Sequence, residues 1–324
     1  MPKVTVIIPT MNCASDLESC LGALREQTFK DFDVLIVDGH SKDDTVKAAE
    51  KNGAKVIFDE GRNRGHACNT ALENVTAPYI AFTDADCIPR PDWLEKLMAQ
   101  LEAKPEIACA GGPNYSPPDD PEFAKCVDVV YSSKVMTGNA RYGKQFKEIV
   151  PIDHNPGCNA AYRTDVSKKA GFDADLPTAE DVVFDYKIRK NGGKLIFVPD
   201  SLVWHRRRPT MKGYWKQVYR YGLGRAMANK KYHELKSWYH LGPTALIFAA
   251  GAWIVFSAVS LSIIGWRFPF AIAGAAAIGY LAGCIYGASV SYSQYKTFGR
   301  VLKASLLIPV GHLAWGLGYI KGCK

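Results

Sequence analysis

Asp84-Ala85-Asp86 places two carboxylates one residue apart, directly behind the short apolar run Tyr79–Thr83. Hard divalent cations take oxygen ligands, and Mg²⁺ in particular binds through one or two carboxylates together with substrate phosphates. A cation held there would act as a Lewis acid on a departing nucleoside diphosphate. The same tripeptide also suits a solvated turn after a strand, so its surroundings must decide. A second acidic pair, Glu180-Asp181, opens a helical stretch after Leu176-Pro177-Thr178-Ala179, where two acids complement the positive end of a helix dipole. Asp38 closes another apolar run, Val34–Val37.

These acids need a scaffold that delivers them to one place. Val4–Ile8, Val34–Val37, Lys55–Phe58 and Tyr79–Thr83 are short, β-branched or apolar runs of strand length. Between them lie helical patterns: Leu17, Cys20, Leu21 and Leu24, then Arg64–Asn74, then Trp93, Leu94, Leu97, Met98 and Leu101 behind Pro91. Ser41-Lys42-Asp43-Asp44 reads as an N-cap with an acidic third position. Alternating strands and helices predict an α/β fold with a mostly parallel sheet covered on both faces. Ligands of such sheets bind beyond the carboxyl ends of the strands, where Asp38, Asp84 and Asp86 fall. Residues 112–150 read as a long loop or lid with one helix near Phe123–Val130, Gly157–Arg163 as a further strand, Asp181–Asn191 as a helix and Lys194–Val198 as the last strand.

The charge is segregated. Residues 1–205 hold 24 basic and 31 acidic side chains, whereas residues 206–236 hold ten basic groups against Glu234 alone. A nucleic-acid binder would carry its positive charge on the folded domain; a basic belt before an apolar region reads instead as contact with anionic lipid. Met211, Tyr214, Trp215, Val218, Tyr219 and Gly222 share one helical face, with Lys212, Lys216 and Arg220 elsewhere. That pattern suits a helix in the membrane interface, favoured by the apolar region that follows, with packing on a core as the alternative. Leu241–Trp266 and Phe268–Tyr295 run 26 and 28 residues with no charged group apart from Arg267 between them. At 1.5 Å per residue both exceed a ~30 Å hydrocarbon core. Ala304–Ile320 is borderline. Three blocks are therefore expected: a catalytic domain over 1–205, a basic amphipathic interface segment over 206–240 and a membrane region of two to three helices over 241–324. The positive-inside rule puts 206–236, Lys296, Arg300 and Lys303 in the cytoplasm and Arg267 at the outer turn. Gly279, Gly283 and Gly287 form small-xxx-small steps that offer a helix-packing or homo-oligomer face. Nine cysteines without a CxxC pair, and no secretory signal in the opening residues, fit a cytoplasmic catalytic domain on the cell membrane.

Pro9-Thr10-Met11-Asn12, Val37-Asp38-Gly39-His40-Ser41-Lys42-Asp43-Asp44-Thr45, Arg62-Asn63-Arg64-Gly65, Thr83-Asp84-Ala85-Asp86 and Glu180-Asp181 occur in the order seen in family 2 glycosyltransferases. The chain resembles that family over roughly residues 3–205. The resemblance implies a Rossmann-like nucleotide-diphospho-sugar fold of glycosyltransferase A type, inversion at the anomeric carbon, and Mg²⁺ or Mn²⁺ as cofactor. On it, Asp38 accepts a hydrogen bond from the donor base (a helix cap being its structural alternative), and Pro9, Thr10 and Asn12 shape the base pocket. Arg62 and Asn63 lie near the nucleotide, with Arg64 an equally basic rival. Asp84 faces the ribose, Asp86 and His205 the metal. Asp181 is the general base, Glu180 positions the acceptor, and Gly157 and Asn159 line the sugar and acceptor side.

His40 departs from the family's DDGS stretch and could alter base contacts. Gln217-Val218-Tyr219-Arg220-Tyr221 is similar to the QxxRW motif of processive synthases but ends in Tyr, and three helices cannot easily enclose a polymer. The expected reaction is transfer of one sugar from a UDP- or GDP-sugar to a membrane-held, polyprenyl-linked glycan. A polyprenyl-phosphate sugar synthase and a catalytically idle membrane scaffold are the rival readings. A transporter is disfavoured because the apolar spans hold no Asp, Glu, Lys or Arg at their centres.

Overall fold

Residues 1–61, 63–138, 146–264, 268–291 and 294–324 are described by a computed structural model. Arg62 and Arg267, each given a place above, lie outside the described residues. In chain order the first elements are β1 (Val4–Thr10), α1 (Ala14–Arg25), β2 (Phe32–Asp38), α2 (Thr45–Lys51), β3 (Lys55–Phe58), α3 (Arg64–Asn74), β4 (Tyr79–Phe82), β5 (Cys87–Pro89), α4 (Trp93–Ala103), β6 (Ile107–Gly111) and β7 (Asn114–Tyr115). Next come α5 (Glu122–Ser132), α6 (Lys134–Thr137), β8 (Val150–Pro151), β9 (Ala160–Arg163), α7 (Thr164–Ala170), α8 (Glu180–Lys190), β10 (Lys194–Phe197) and β11 (Val203–His205). The C-terminal helices are α9 (Met211–Lys231), α10 (Gly242–Ile264), α11 (Phe268–Val290) and α12 (Phe298–Cys323).

Two compact units result: Met1–Pro117 with Phe146–Arg206, and Pro118–Gln145 with Arg207–Lys324. The first is built on an eight-stranded sheet ordered β3-β2-β1-β4-β9-β6-β10-β8. β1 runs parallel to β2 and β4, β2 to β3, and β10 to β6, so the sheet is mostly parallel as expected. Strand period two sends alternate side chains to opposite faces. Val4, Val6 and Ile8 therefore join Leu17, Leu21 and Leu24 of α1 and Trp93, Leu94 and Leu97 of α4, while Ile7 joins Ala71 and Leu72 of α3 and Phe184 and Ile188 of α8.

Two features depart from a simple alternating reading. β9 runs antiparallel between β4 and β6, bringing Ala160–Arg163 into the middle of the sheet, while Gly157, Cys158 and Asn159 of the expected strand form the turn that leads into it. A second, three-stranded sheet ordered β5-β11-β7 forms from runs too short to register as strands, and it pairs His205 with Cys87. A third difference is local. Ser41 does not cap α2, which begins at Thr45; its hydroxyl is drawn to the buried carboxylate of Asp38 instead.

The second unit has its own core, where Cys126, Val127 and Val130 of α5 meet Tyr214 and Val218 of α9 and Leu307 and Ile308 of α12. The aromatic face of α9 is thus covered by protein, the packed alternative of the two above. Glycine allows the close approach: a Cβ on Gly222 would lie 2.2 Å from the Trp315 carbonyl oxygen, and one on Gly318 2.0 Å from that of Tyr219. Arg207 is buried here and pairs through Nε and Nη2 with Asp128 Oδ1 at 2.9 and 2.8 Å. Gly242–Ile263, Pro269–Val290 and Phe298–Cys323 are long and apolar enough to cross a membrane, and the last of these includes the borderline segment. Gly279 and Gly283 have open space beside them, whereas Gly287 packs against Val135.

One asparagine ties the strands of the first unit together. Asn159 is fully buried, donates through Nδ2 to the Pro113 and Ser201 carbonyls at 2.7 Å each, and accepts from Trp93 Nε1 at 2.8 Å. Asn159→Ala would strand an indole N–H and two carbonyls in the dry interior, costing about 3 kcal/mol. A thermal melt should show Tm lowered by about 10 °C.

Candidate active site

The geometry begins with a salt-bridge hub. Arg64 lies on the first turn of α3 behind Asn63, whose side chain caps the helix by accepting the His66 N–H at 3.0 Å. The Arg64 guanidinium donates from Nε to Asp84 Oδ1 at 3.1 Å, from Nη1 to Glu180 Oε1 at 3.2 Å and from Nη2 to the Gly157 carbonyl at 2.7 Å. A planar fork with fixed donors can bind three acceptors from three elements at once. Burial opposes its charge, but Asp84, Glu180 and Asp181 hold it protonated. Glycine at 157 leaves the guanidinium its place, because a Cβ there would lie 2.9 Å from Arg64 Nη1 and push the fork aside.

Glu180 and Asp181 open α8 after Ala179, which holds a left-handed φ of 67°. Asn12 and His40, at the ends of β1 and β2, share that conformation at 52° and 62°. Among the described residues these are the non-glycine positions with positive φ, and all three border predicted site residues. Such strain persists only where surrounding structure enforces it, and it clusters at functional sites.

Asp181 Oδ1 accepts the Val182 N–H at 2.8 Å and Oδ2 the Gly157 N–H at 3.2 Å. Burial works against its ionisation, yet His154, Arg64 and these two amides hold its carboxyl below the ordinary range. Glu180 moves the opposite way, raised by burial and by the neighbouring Asp181. Paired carboxyls driven apart in this manner can take different roles in proton transfer.

On the other side of Asp84, Asp86 Oδ1 lies 3.3 Å from His205 Nε2. Ligand atoms of Asp84, Asp86, Cys87 and His205 lie within 4.8 Å of one another. Two carboxylates and an imidazole form a donor set that fits Mg²⁺ or Mn²⁺. The His205 ring also contacts Cys158 Sγ through Nδ1 at 3.4 Å. Burial disfavours its charge, but Asp86 and Cys158 outweigh that and lift it to about 10. The Cys87 thiol, raised by burial, stays neutral and is a poor ligand beside the carboxylates.

Towards the other edge of the sheet, Asp38 is fully buried and accepts from Thr10 Oγ1 at 2.9 Å, from Ser41 N–H at 2.7 Å and from Ser41 Oγ at 2.7 Å. Most of its acceptor capacity is used within the protein. Asn12 is similarly engaged, its Oδ1 accepting the Lys42 N–H at 2.8 Å, and Pro9 pairs with Val37 within the sheet. Beyond β2 and β3 opens a cleft of about 510 Å³ lined by His40, Phe58, Asp59, Glu60, His66 and Thr70. The His40 and Phe58 rings stack there with centroids 5.5 Å apart.

The structure therefore gathers Asp84, Asp86, Glu180, Asp181, Gly157 and His205 into one neighbourhood. Asp38, Thr10, Pro9 and Asn12 form a separate cluster at the ends of β1 and β2. Asn159 lies beneath both, spent on the fold. Sequence reasoning left Arg64 as a mere rival and passed over Cys158, His154 and Asp185. Only the last had a visible signal, since it follows Asp181 by four residues on the same helical face.

A family model described as "Glycosyl transferase family 2" matches residues 5–171. Glycosyltransferase AglE of Haloferax volcanii is 28% identical over 233 residues, covering 69% of this chain and 73% of the relative. A Methanococcus voltae dolichyl N-acetyl-alpha-D-glucosaminyl phosphate 3-beta-D-2,3-diacetamido-2,3-dideoxy-beta-D-glucuronosyltransferase is 26% identical over 249 residues, covering 71% and 75%. Among solved structures, mannosyltransferase PcManGT from Pyrobaculum calidifontis, in complex with GDP-Man and Mn²⁺, superposes with a TM-score of 0.64. The match covers 96% of this chain and 86% of that one at 22% identity, a likeness of fold.

Arg64→Lys keeps the charge but loses the fork, so Asp84, Glu180 and the Gly157 carbonyl cannot all be held. Misplacement on this scale lowers kcat about a hundredfold, which steady-state kinetics would register, and Tm should fall as well because buried partners lose their donors.

Proposed function

This chain belongs to glycosyl transferase family 2, and from that premise we propose that it transfers a single sugar, with inversion, from a UDP- or GDP-sugar to a hydroxyl of a membrane-associated, polyprenyl-linked glycan. The observation that carries the proposal is the convergence at one rim of the sheet. Asp84 and Glu180 share the Arg64 guanidinium, with Asp181 beside one and the Asp86–His205 pair beside the other.

In this reading Asp86 and His205, with Asp84 alongside, hold Mg²⁺ or Mn²⁺, which when bound neutralises the charge of the departing diphosphate. Asp181 takes the proton of the acceptor hydroxyl as that oxygen attacks opposite the leaving group. Its lowered pKa keeps it ionised and ready at neutral pH. Glu180, turned by Arg64, orients the acceptor. Asp38 and Thr10 bind the base from the ends of β1 and β2, where Pro9 and Asn12 shape the loop. Asn63 positions the first turn of α3 near the nucleotide, and Arg62 lies next to it in sequence. Gly157 lets the sugar approach Asp181 without a side chain between them.

GDP-Man and Mn²⁺ in the Pyrobaculum enzyme support the donor and metal classes, and the dolichyl phosphate in the name of the Methanococcus relative supports a lipid-linked acceptor. Three helices of spanning length support an anchored enzyme, and the basic belt at 206–236 supports a cytoplasmic catalytic unit. Anchoring raises the effective concentration of an acceptor confined to the same bilayer. Gly279 and Gly283 remain the face for a homo-oligomer.

A thermal-shift panel of UDP-, GDP- and dTDP-sugars with Mn²⁺ tests the donor assignment, because a ligand of the folded state raises Tm by mass action. One sugar nucleotide should stand out, and Asp86→Ala should erase its shift; an undiminished shift in that variant refutes the metal assignment. Asp181→Asn should retain the shift and abolish transfer. Near-normal turnover in Asp181→Asn points to an acceptor that is already anionic, as in a polyprenyl-phosphate sugar synthase.

A further inference from the structure

Behind Asp181 lies a second histidine–carboxylate pair that the mechanism above does not use. Asp185, one helical turn along α8, is fully buried. Its Oδ1 accepts from the Tyr162 hydroxyl at 2.9 Å, and its Oδ2 accepts from the Asn155 N–H at 2.8 Å. The same Oδ2 lies 2.8 Å from His154 Nδ1. Burial raises the Asp185 carboxyl, opposed by His154, the Asn155 N–H and the Tyr162 hydroxyl; as a carboxylate it can only accept, so the short contact assigns a proton to Nδ1. The other ring nitrogen, Nε2, is thereby turned towards Asp181 Oδ2, 3.7 Å away. That separation is too long for a hydrogen bond. A proton placed between the two atoms would bridge them once that gap closes. Asp185 has no access to solvent, whereas the His154 side chain is 21% exposed.

We propose that His154, oriented by buried Asp185, is a positioning residue for Asp181 and the next acceptor of the proton that Asp181 removes. The inference rests on the assignment of Asp181 as base. The acceptor O–H bond breaks as its oxygen bonds to the anomeric carbon. The carbon–oxygen bond to the diphosphate breaks with its electron pair on the diphosphate. The proton passes to Asp181 Oδ2 and then to His154 Nε2, which restores the carboxylate and leaves an imidazolium between Asp181 and Asp185. Solvent at the exposed ring edge then removes it. The other charged groups nearby are Glu180 and Arg64 around Asp181, and Arg189 of α8, which is paired with Asp153 at 3.2 Å. None of these offers a second acceptor: Glu180 is committed to Arg64, and the Asp153 side chain is 90% exposed.

His154→Gln tests the assignment in the full-length enzyme. Expected is a kcat lowered ten- to a hundredfold, by about the scale of a misplaced catalytic group, with donor KM and the donor-induced Tm shift unchanged. The acid limb of the kcat profile should move, because the ring that must stand unprotonated at Nε2 to take the proton is gone. Added imidazole should partly restore His154→Ala. A His154→Gln enzyme with wild-type kcat and an unmoved acid limb overturns the proposal, as does a loss confined to Tm and donor KM. Asp181→Asn separates the two levels. If it is inactive while His154→Gln behaves as wild type, only the present proposal falls; if it is active, the base assignment falls and this one with it. Should the histidine variants fail to fold, ¹⁵N NMR of histidine-labelled wild-type protein decides. A neutral ring bearing its proton on Nε2 would overturn the assignment.

Discussion

Four acidic side chains and one glycine carbonyl crowd the rim where Arg64 stands, and the guanidinium is what allows them to be there. Carboxylates drawn out of water repel one another and lose hydration, and each would protonate or turn away without a fixed counter-charge. Arg64 answers to Asp84, Glu180 and Gly157 from three separate stretches of chain, and so it determines where those stretches can sit. Asp84 commits Oδ1 to this pair and also belongs to the group of ligand atoms with Asp86 and His205. The metal half and the proton-transfer half of the site are thus joined through one side chain.

Around this hub the fold uses small residues where backbones must meet. Gly157 admits the guanidinium, and Gly111 and Gly112 have no room for a Cβ beside Asn155, Asn159 and the Ser201 carbonyl. Asn159 and Asp185 then close the layer beneath by satisfying buried donors that would otherwise be orphaned. In the second unit the same device recurs between helices, where Gly222, Gly318 and Gly322 let α9 and α12 pack backbone to backbone. That packing gives α12 a half-buried character that α10 and α11 lack.

Much of the site was legible as acidic motifs placed at strand ends. Asp38, Asp84 and Asp86 each follow an apolar run, and an open α/β sheet exposes its ligands at that edge. Arg64 was harder to separate from Arg62, because both are basic, adjacent and equally plausible in one dimension. His154 carries no local signal at all. It becomes visible only when α8 brings Asp181 and Asp185 against the segment leading into β9, since its meaning lies in two contacts about thirty residues away in sequence.

The sequence by itself determined the α/β alternation, the mostly parallel sheet, the acidic motifs at its edge and two of the three long apolar helices, because these follow from periodicity, length and composition acting over neighbouring residues. Tertiary structure decided that β9 enters the sheet antiparallel, that β5, β7 and β11 make a second sheet, that α5 belongs with the C-terminal unit, and that α9 buries its aromatic face. Those outcomes depend on pairing between distant segments of only two to five residues, or on which of two apolar surfaces covers a third. Local propensity is too weak over such lengths to choose among partners, and burial of the shared surface makes the choice.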